Sequence, residues 1–278
     1  LLRRSDAVVK ENTRRREVES ELTTLNASLE QTIAQRTADL QNIVAGLESF
    51  NRNVSHDLRG SLGGIAGLAR AADDALQRDD SAVARRLLPL IAKQASQSAD
   101  LVSALLTLAR VGDHHINKTA TDLKALSEDV IANVALGVPE QNLPRFIVGE
   151  LPRVHADANL LRPALTNLIS NAVKFCGYRP DGCVELLASA DARETVIQVR
   201  DNGVGFRHDC APALFEPFVR LHGPEFGGHG IGLSIVRRAI ERQGGRVWAE
   251  AAPEKGANFF FALPNQIDDT RRASTSGD

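Results

Sequence analysis

The sequence predicts an α+β protein: an N-terminal coiled coil and two-helix hairpin forming a dimeric four-helix bundle, followed by an α/β sandwich. Three observations carry this. Residues 5 to about 76 contain no proline, and no glycine before Gly46, and hold apolar residues spaced three and four apart. A second apolar stripe occupies Leu87, Leu88, Ile91, Ala95, Ser98, Leu101, Val102, Leu105 and Leu108. From about residue 119, helical patterns alternate with short strand patterns.

The first helix carries its seam on Val18, Leu22, Leu25, Leu29, Ile33, Leu40, Ile43, Leu47, Phe50 and Val54. Successive steps of four from Leu25 to Ile33 make a stutter, and Arg36 occupies a seam position. Such a stripe needs a partner, so a homodimer is expected. With Val54 on the seam, His56 faces outward. Beyond Leu58 the apolar face broadens through Leu62, Ile65 and Leu68, as a coil opening into a bundle requires. Polar residues 77 to 81 mark the turn into the second helix, which Val111-Gly112-Asp113 ends.

After a boundary near 118, a helix is expected over about 122–136 and a strand around Phe146-Ile147-Val148. A long helix begins at Asp157, a natural N-cap. Strands follow at Val184–Ala190 and Thr195–Arg200, then a helix from about Ile231 to Arg242 that Gly244-Gly245 stops. Strands at Arg246–Glu250 and Asn258–Leu263 complete a mixed sheet. The domains are therefore 1–45, a coiled-coil helix; 46–118, a dimerising bundle; 119–264, the sandwich; and 265–278, a polar tail expected to be disordered.

Composition narrows the function. A net charge of −2 gives no argument for a nucleic-acid partner. The three cysteines, Cys176, Cys183 and Cys210, lack metal-ligand spacing and suit a reducing compartment. No apolar run approaches the roughly 20 residues of a membrane span. The chain opens Leu1-Leu2-Arg3-Arg4 and contains no methionine, which suggests a piece of a longer protein with more sequence upstream. A cytoplasmic location is expected, either free or as the cytoplasmic part of an inner-membrane protein.

Chemistry concentrates in three places. In the Asp157 helix, Asn167, Asn171 and Lys174 stand at i, i+4 and i+7 and share one face. Asparagine oxygen suits Mg²⁺, and lysine suits phosphate. Solvated faces favour Lys and Glu, so repeated asparagine reads as a site. Asp201-Asn202-Gly203-Val204-Gly205-Phe206 ends a strand with a carboxylate and two glycines. Gly228, Gly230 and Gly232 open the Ile231 helix, where free N–H groups and the helix dipole favour phosphate. The segment from Phe206 to His229 between them would be a lid.

This ordered set resembles the N, G1, F and G2 boxes of sensor histidine kinases, with Phe215-Glu216-Pro217-Phe218 as the F box and Gly228 to Leu233 as the G2 box. Ser55-His56-Asp57-Leu58-Arg59 resembles their H box, and Arg36-Thr37-Ala38-Asp39-Leu40 upstream is most like kinases that follow PAS or phytochrome-type sensory modules. The resemblance covers roughly residues 46 to 264. It implies an ATP-binding sandwich of the histidine kinase, gyrase and Hsp90 type, with ATP and Mg²⁺ as cofactors. His56 would accept the phosphoryl group, with Asp57 orienting or deprotonating it. Asp201 would accept from the adenine amino group, and Gly203 and Gly205 would let the base lie against the backbone. Asn171 would hold the metal, beside Asn167, with Lys174 near the phosphates. Gly228, Gly230, Gly232 and Leu233 would cradle the phosphates, Phe215 and Phe218 anchor the lid, and Arg220 reach the γ-phosphate. The implied partners are a response regulator receiver domain, a second copy, and an upstream sensor.

Two positions depart from the family. Four and five residues after His56, where Thr or Asn and then Pro are usual, stand Gly60 and Ser61. Gly60 has no side chain to position water, so weak or absent phosphatase activity is expected. The departure also keeps a second reading open, a dimeric signalling scaffold without transfer. A third, another ATPase of the same nucleotide fold, has no use for the His56 helix pair. The remaining six histidines are His114, His115, His155, His208, His222 and His229. None is expected to be the acceptor, and His229, where the family usually has Thr or Ser, reads as a solvated lid residue.

Overall fold

A computed structural model describes residues 2–265 apart from 178, 224 and 225; the tail expected to be disordered lies outside the described residues beyond Asn265. The chain divides into two compact units between Gly60 and Ser61.

The first unit is one helix. Helix α1 spans Leu2–Gln77 and continues without a break through Gly60. Its seam residues Leu22, Leu25, Leu29, Ile33 and Leu40 are all half exposed or more. Among the described residues nothing in the chain covers them. His56 lies here with its side chain 87% exposed, and its Nδ1 stands 3.2 Å from Asp57 Oδ1.

In the second unit, the end of α1 turns back into α2, Ser81–Asp113. The turn closes with Asp80 N–H donating to Ala75 O, and Asp80 caps α2 by accepting from Val83 N–H. Ala72, Ala75, Ala84 and Leu101 are buried in the hairpin, while Leu62, Leu76 and Leu88 remain exposed. Ser61 is buried too. Its Oγ meets Ser98 Oγ at 2.5 Å and accepts from Gln94 Nε2 at 3.3 Å.

The sandwich follows as β1 (Thr119–Asp122), α3 (Leu123–Leu136), β2 (Arg145–Val148), β3 (Arg153–Ala156), α4 (Ala158–Cys176), β4 (Cys183–Ala190), β5 (Glu194–Asp201), α5 (Gly232–Glu241), β6 (Arg246–Ala251) and β7 (Ala257–Pro264). Five strands form one mixed sheet in the order β2-β4-β5-β7-β6, with β2 and β4 parallel and the other pairs antiparallel. The period-2 alternation of β5 puts Thr195, Ile197, Val199 and Asp201 on the buried face. Across the sheet Leu186, Val199, Phe259 and Ala249 stand in register, all buried, and α4 and α5 pack over them.

Two short strands have no counterpart in the sequence reading. β1 and β3 pair antiparallel as a separate ribbon that includes the expected 118 boundary. Four-residue strands such as Thr-Ala-Thr-Asp carry too little alternation to register as strands. The ribbon delivers Asp157, 1% exposed, to the start of α4. Its carboxylate accepts from Asn159 N–H, as the N-cap reading requires, and also from Asn117 N–H at 2.7 Å and His114 Nε2 at 2.9 Å. Three acceptor bonds outweigh the desolvation of the group, which remains below the ordinary carboxylate range. His114 therefore serves a buried carboxylate.

Candidate functional site

The site forms where β5 ends. Asp201, the last residue of that strand, is 3% exposed, and its Oδ1 accepts from Gly203 N–H at 2.9 Å. Burial pushes its carboxyl up to about 6, against the lowering effect of the Gly203 and Ala257 N–H groups. A cavity of about 590 Å³ lies against it, lined by α4, the segment leading into α5, and Asp100 and Ala104 of α2.

Asn167, Asn171 and Lys174 all line this cavity, as their spacing predicts. Their roles differ. Asn167 donates through Nδ2 to Pro163 O at 2.8 Å, one turn back on its own helix. Its Oδ1 faces Gly232, where an added Cβ would come within 2.5 Å of it. Asn167 thus fixes the approach of α4 to α5. Lys174 Nζ sits 4.3 Å over the Phe175 ring, and burial, then the charge of Arg220, pull its ammonium down to about 8.

Gly203 and Gly205 were expected to let the base lie against the backbone; Gly205 lines the cavity, and at both positions the chain crowds the place a side chain would take. A Cβ on Gly203 would come within 2.5 Å of Phe175 O, and one on Gly205 within 2.1 Å of Ala252 O. The turn needs glycine because the end of α4 and the turn between β6 and β7 press against it. Gly228 and Gly230, with φ of +85° and +71°, line the cavity as well. They lead to Gly232 at the first turn of α5, where no side chain caps the N-terminus. Its N–H groups are therefore available to an anion.

Around the lid, Arg220 and Leu233 line the cavity, and Arg220 Nη2 donates to Gly223 O. Phe215 and Phe218 do not. Phe215 is buried toward β6 beside Val247 and Trp248, and Phe218, at φ +67°, donates its N–H to Gly230 O at 2.9 Å. They tie the middle of the lid to β6 and to Gly230. His229 is not solvated as expected: its Nε2 donates to Gln97 O at 2.8 Å on α2. Sequence reasoning also passed over His222, whose ring lies against Phe175 and Phe226 at the cavity wall.

The lining fits a nucleoside triphosphate with a divalent ion. A buried acceptor, a lysine and an uncapped helix N-terminus all line it. Among the described residues no three His, Cys, Asp or Glu side chains gather to hold a metal. Asn171 supplies a neutral oxygen, so an ion here takes its remaining ligands from phosphate and water, the habit of Mg²⁺.

Comparison with known proteins places these features. Residues 46–114 match the His Kinase A (phospho-acceptor) domain, and residues 156–267 match the histidine kinase-, DNA gyrase B-, and HSP90-like ATPase family. The methanogenesis regulatory histidine kinase FilI of Methanothrix harundinacea is 30% identical over 84% of this chain and 26% of its own length. Phytochrome-like protein Cph1 of Synechocystis is 30% identical over 84% of this chain and 31% of its own. The chain thus spans about a third or less of these relatives. Full-length ShkA, solved in complex with AMPPNP, aligns at 30% identity with a TM-score of 0.51, covering 76% of this chain and 44% of that one. With both domains matched in order around an exposed histidine and this cavity, the chain belongs to the sensor histidine kinases.

Proposed function

We propose that this chain binds ATP with Mg²⁺ in the cavity between Asp201, α4 and α5, phosphorylates itself on His56, and passes the phosphoryl group to an aspartate of a response regulator. The observation that carries the reading is the buried Asp201 carboxylate in the wall of a cavity that Lys174 and an uncapped helix N-terminus also line. A carboxylate there accepts from the exocyclic amino group of adenine. Asn171 contributes one oxygen to Mg²⁺, whose charge offsets that developing on the phosphates. Lys174, Arg220 and the N–H groups at Gly230 to Gly232 neutralise the rest.

At the acceptor, Asp57 takes the Nδ1–H of His56 as a hydrogen bond, which leaves the Nε2 lone pair outward and free. Nε2 attacks the γ-phosphorus and the bond to the β,γ-bridging oxygen breaks, releasing ADP. Asp57 stabilises the cationic ring that results, or takes its Nδ1 proton. A regulator aspartate then attacks the same phosphorus and the N–P bond returns its electrons to the ring. Positioning and charge neutralisation account for most of the barrier lowered in such a transfer. The apolar stripe of α1 supports a homodimer, since two copies bury what one leaves exposed. Gly60 and the buried, hydrogen-bonded Ser61 both support weak phosphatase activity, because neither offers a side chain to water.

Incubation with γ-labelled ATP and Mg²⁺ tests the reading. An acid-labile, base-stable label that disappears in His56→Gln, with ADP affinity unchanged, is the expected result. An unlabelled wild-type chain that still binds ADP would point to the scaffold.

A further inference from the structure

We infer that His222 is a positioning residue for the nucleotide base, making the lid close on the purine as well as on the phosphates. The inference rests on the ATP reading above. The His222 and Phe175 ring centroids are 4.9 Å apart, His222 and Phe226 5.2 Å, and Phe175 and Phe226 5.1 Å, so three rings meet in one cluster on the cavity wall. Phe175 comes from α4 beside Lys174, while His222 and Phe226 come from the lid.

The ring is held from behind. His222 Nε2 lies 2.9 Å from Gly205 O, a carbonyl that can only accept, so Nε2 carries the proton. Gly205 belongs to the turn that Asp201 begins, and its own space is filled by Ala252 O and Gly256 O, which makes it a rigid anchor. A lid histidine is thereby tied to the same turn that would read the base edge. A planar, apolar-faced wall beside a buried hydrogen-bond acceptor recognises a flat aromatic ring that carries an N–H donor, which is the chemistry of adenine. Phosphate has no use for it. The lid therefore has two holds on a nucleotide: glycines and Arg220 for the phosphates, and His222 with Phe226 for the base.

The test separates base binding from chemistry. In the full chain, His222→Ala should raise KM for ATP about tenfold, or ~1.4 kcal/mol, with kcat within about twofold of wild type, and should weaken ADP in calorimetry by a similar factor. His222→Phe keeps the ring and His222→Gln keeps a donor for Gly205 O. Each should recover part of the affinity, the former more. An unchanged KM in His222→Ala, or a loss in kcat larger than the rise in KM, overturns the inference. So does failure of both conservative variants to improve on alanine. A wild-type chain that binds no ADP instead removes the ATP reading beneath it.

Discussion

Helices α1 and α4 carry the same kinds of apolar residue and meet opposite fates. In α4, Leu161 and Ile169 are fully buried against the sheet and α5, whereas Leu29 and Ile33 of α1 remain 50% and 63% exposed. The nucleotide domain completes its own core. The stem, among the described residues, leaves its stripe exposed, and we propose that a second copy covers it. The division suits a signalling protein, because an element that depends on a partner responds to how that partner is held. His56 stands on the element without a core and Asp201 at the end of a core strand.

The contrast breaks most visibly under truncation of the two stripes. Leu161→Ala should cost about 2–5 kcal/mol in denaturant unfolding of the nucleotide domain, the usual cost of an unfilled core site. Leu29→Ala should leave that transition within about 0.5 kcal/mol and instead weaken self-association in sedimentation. Equal losses in the same transition would show that α1 has a core within its own chain.

A second test falls on the stem alone. A Cβ at Gly60 would meet nothing within 4 Å, so Gly60→Thr should fold normally. With a hydroxyl restored to orient water, dephosphorylation of a phospho-regulator should rise by about a hundredfold, the low end of what positioned proton-transfer groups supply. No change in that rate would show that Gly60 does not set the phosphatase activity.

The smallest effect sharpens the other side. Asp201 has its carboxyl raised by burial to about 6, above the ordinary 3.8. Between those values the unfolded chain holds fewer protons on this group than the folded one, so its contribution to stability declines as pH rises from about 4 to about 6. Nucleotide affinity runs the other way. The adenine amino group needs the ionised carboxylate, so ADP should bind with constant affinity above pH 6 and weaken about tenfold per unit well below it. Asp201→Asn should bind more weakly at neutral pH and lose this slope; a variant that keeps the slope would assign it to another group.

Much of this was legible in the sequence because the signals are local. Helical spacing put Asn167, Asn171 and Lys174 on one face, and all three line the cavity. Asp157 was readable as an N-cap because capping acts over two residues. What escaped depends on contacts distant in sequence. That Ala252 and Gly256 leave Gly205 no room for a side chain has no sequence signal, since both stand about 50 positions away. His222 has no sequence signal, since its partners Gly205 and Phe175 lie on other elements. His229 finds Gln97 across 132 positions. Phe215 belongs to the F box by spacing, yet it packs toward β6 and away from the cavity. The β1–β3 ribbon is too short for periodicity to reveal, though it carries the residues around Asp157 that tie α2 to α4.

Peptide mapping after incubation with ATP and Mg²⁺, quenched at alkaline pH, tests the central claim most directly. The chain has seven histidines, six of them outside the H box. The account predicts a phosphoryl group on the peptide containing His56 alone, and its loss in both Asn171→Ala and Asp201→Ala while His56 is untouched. A phosphoryl group on any other histidine, or on His56 at the wild-type rate with Asp201 replaced, would contradict it.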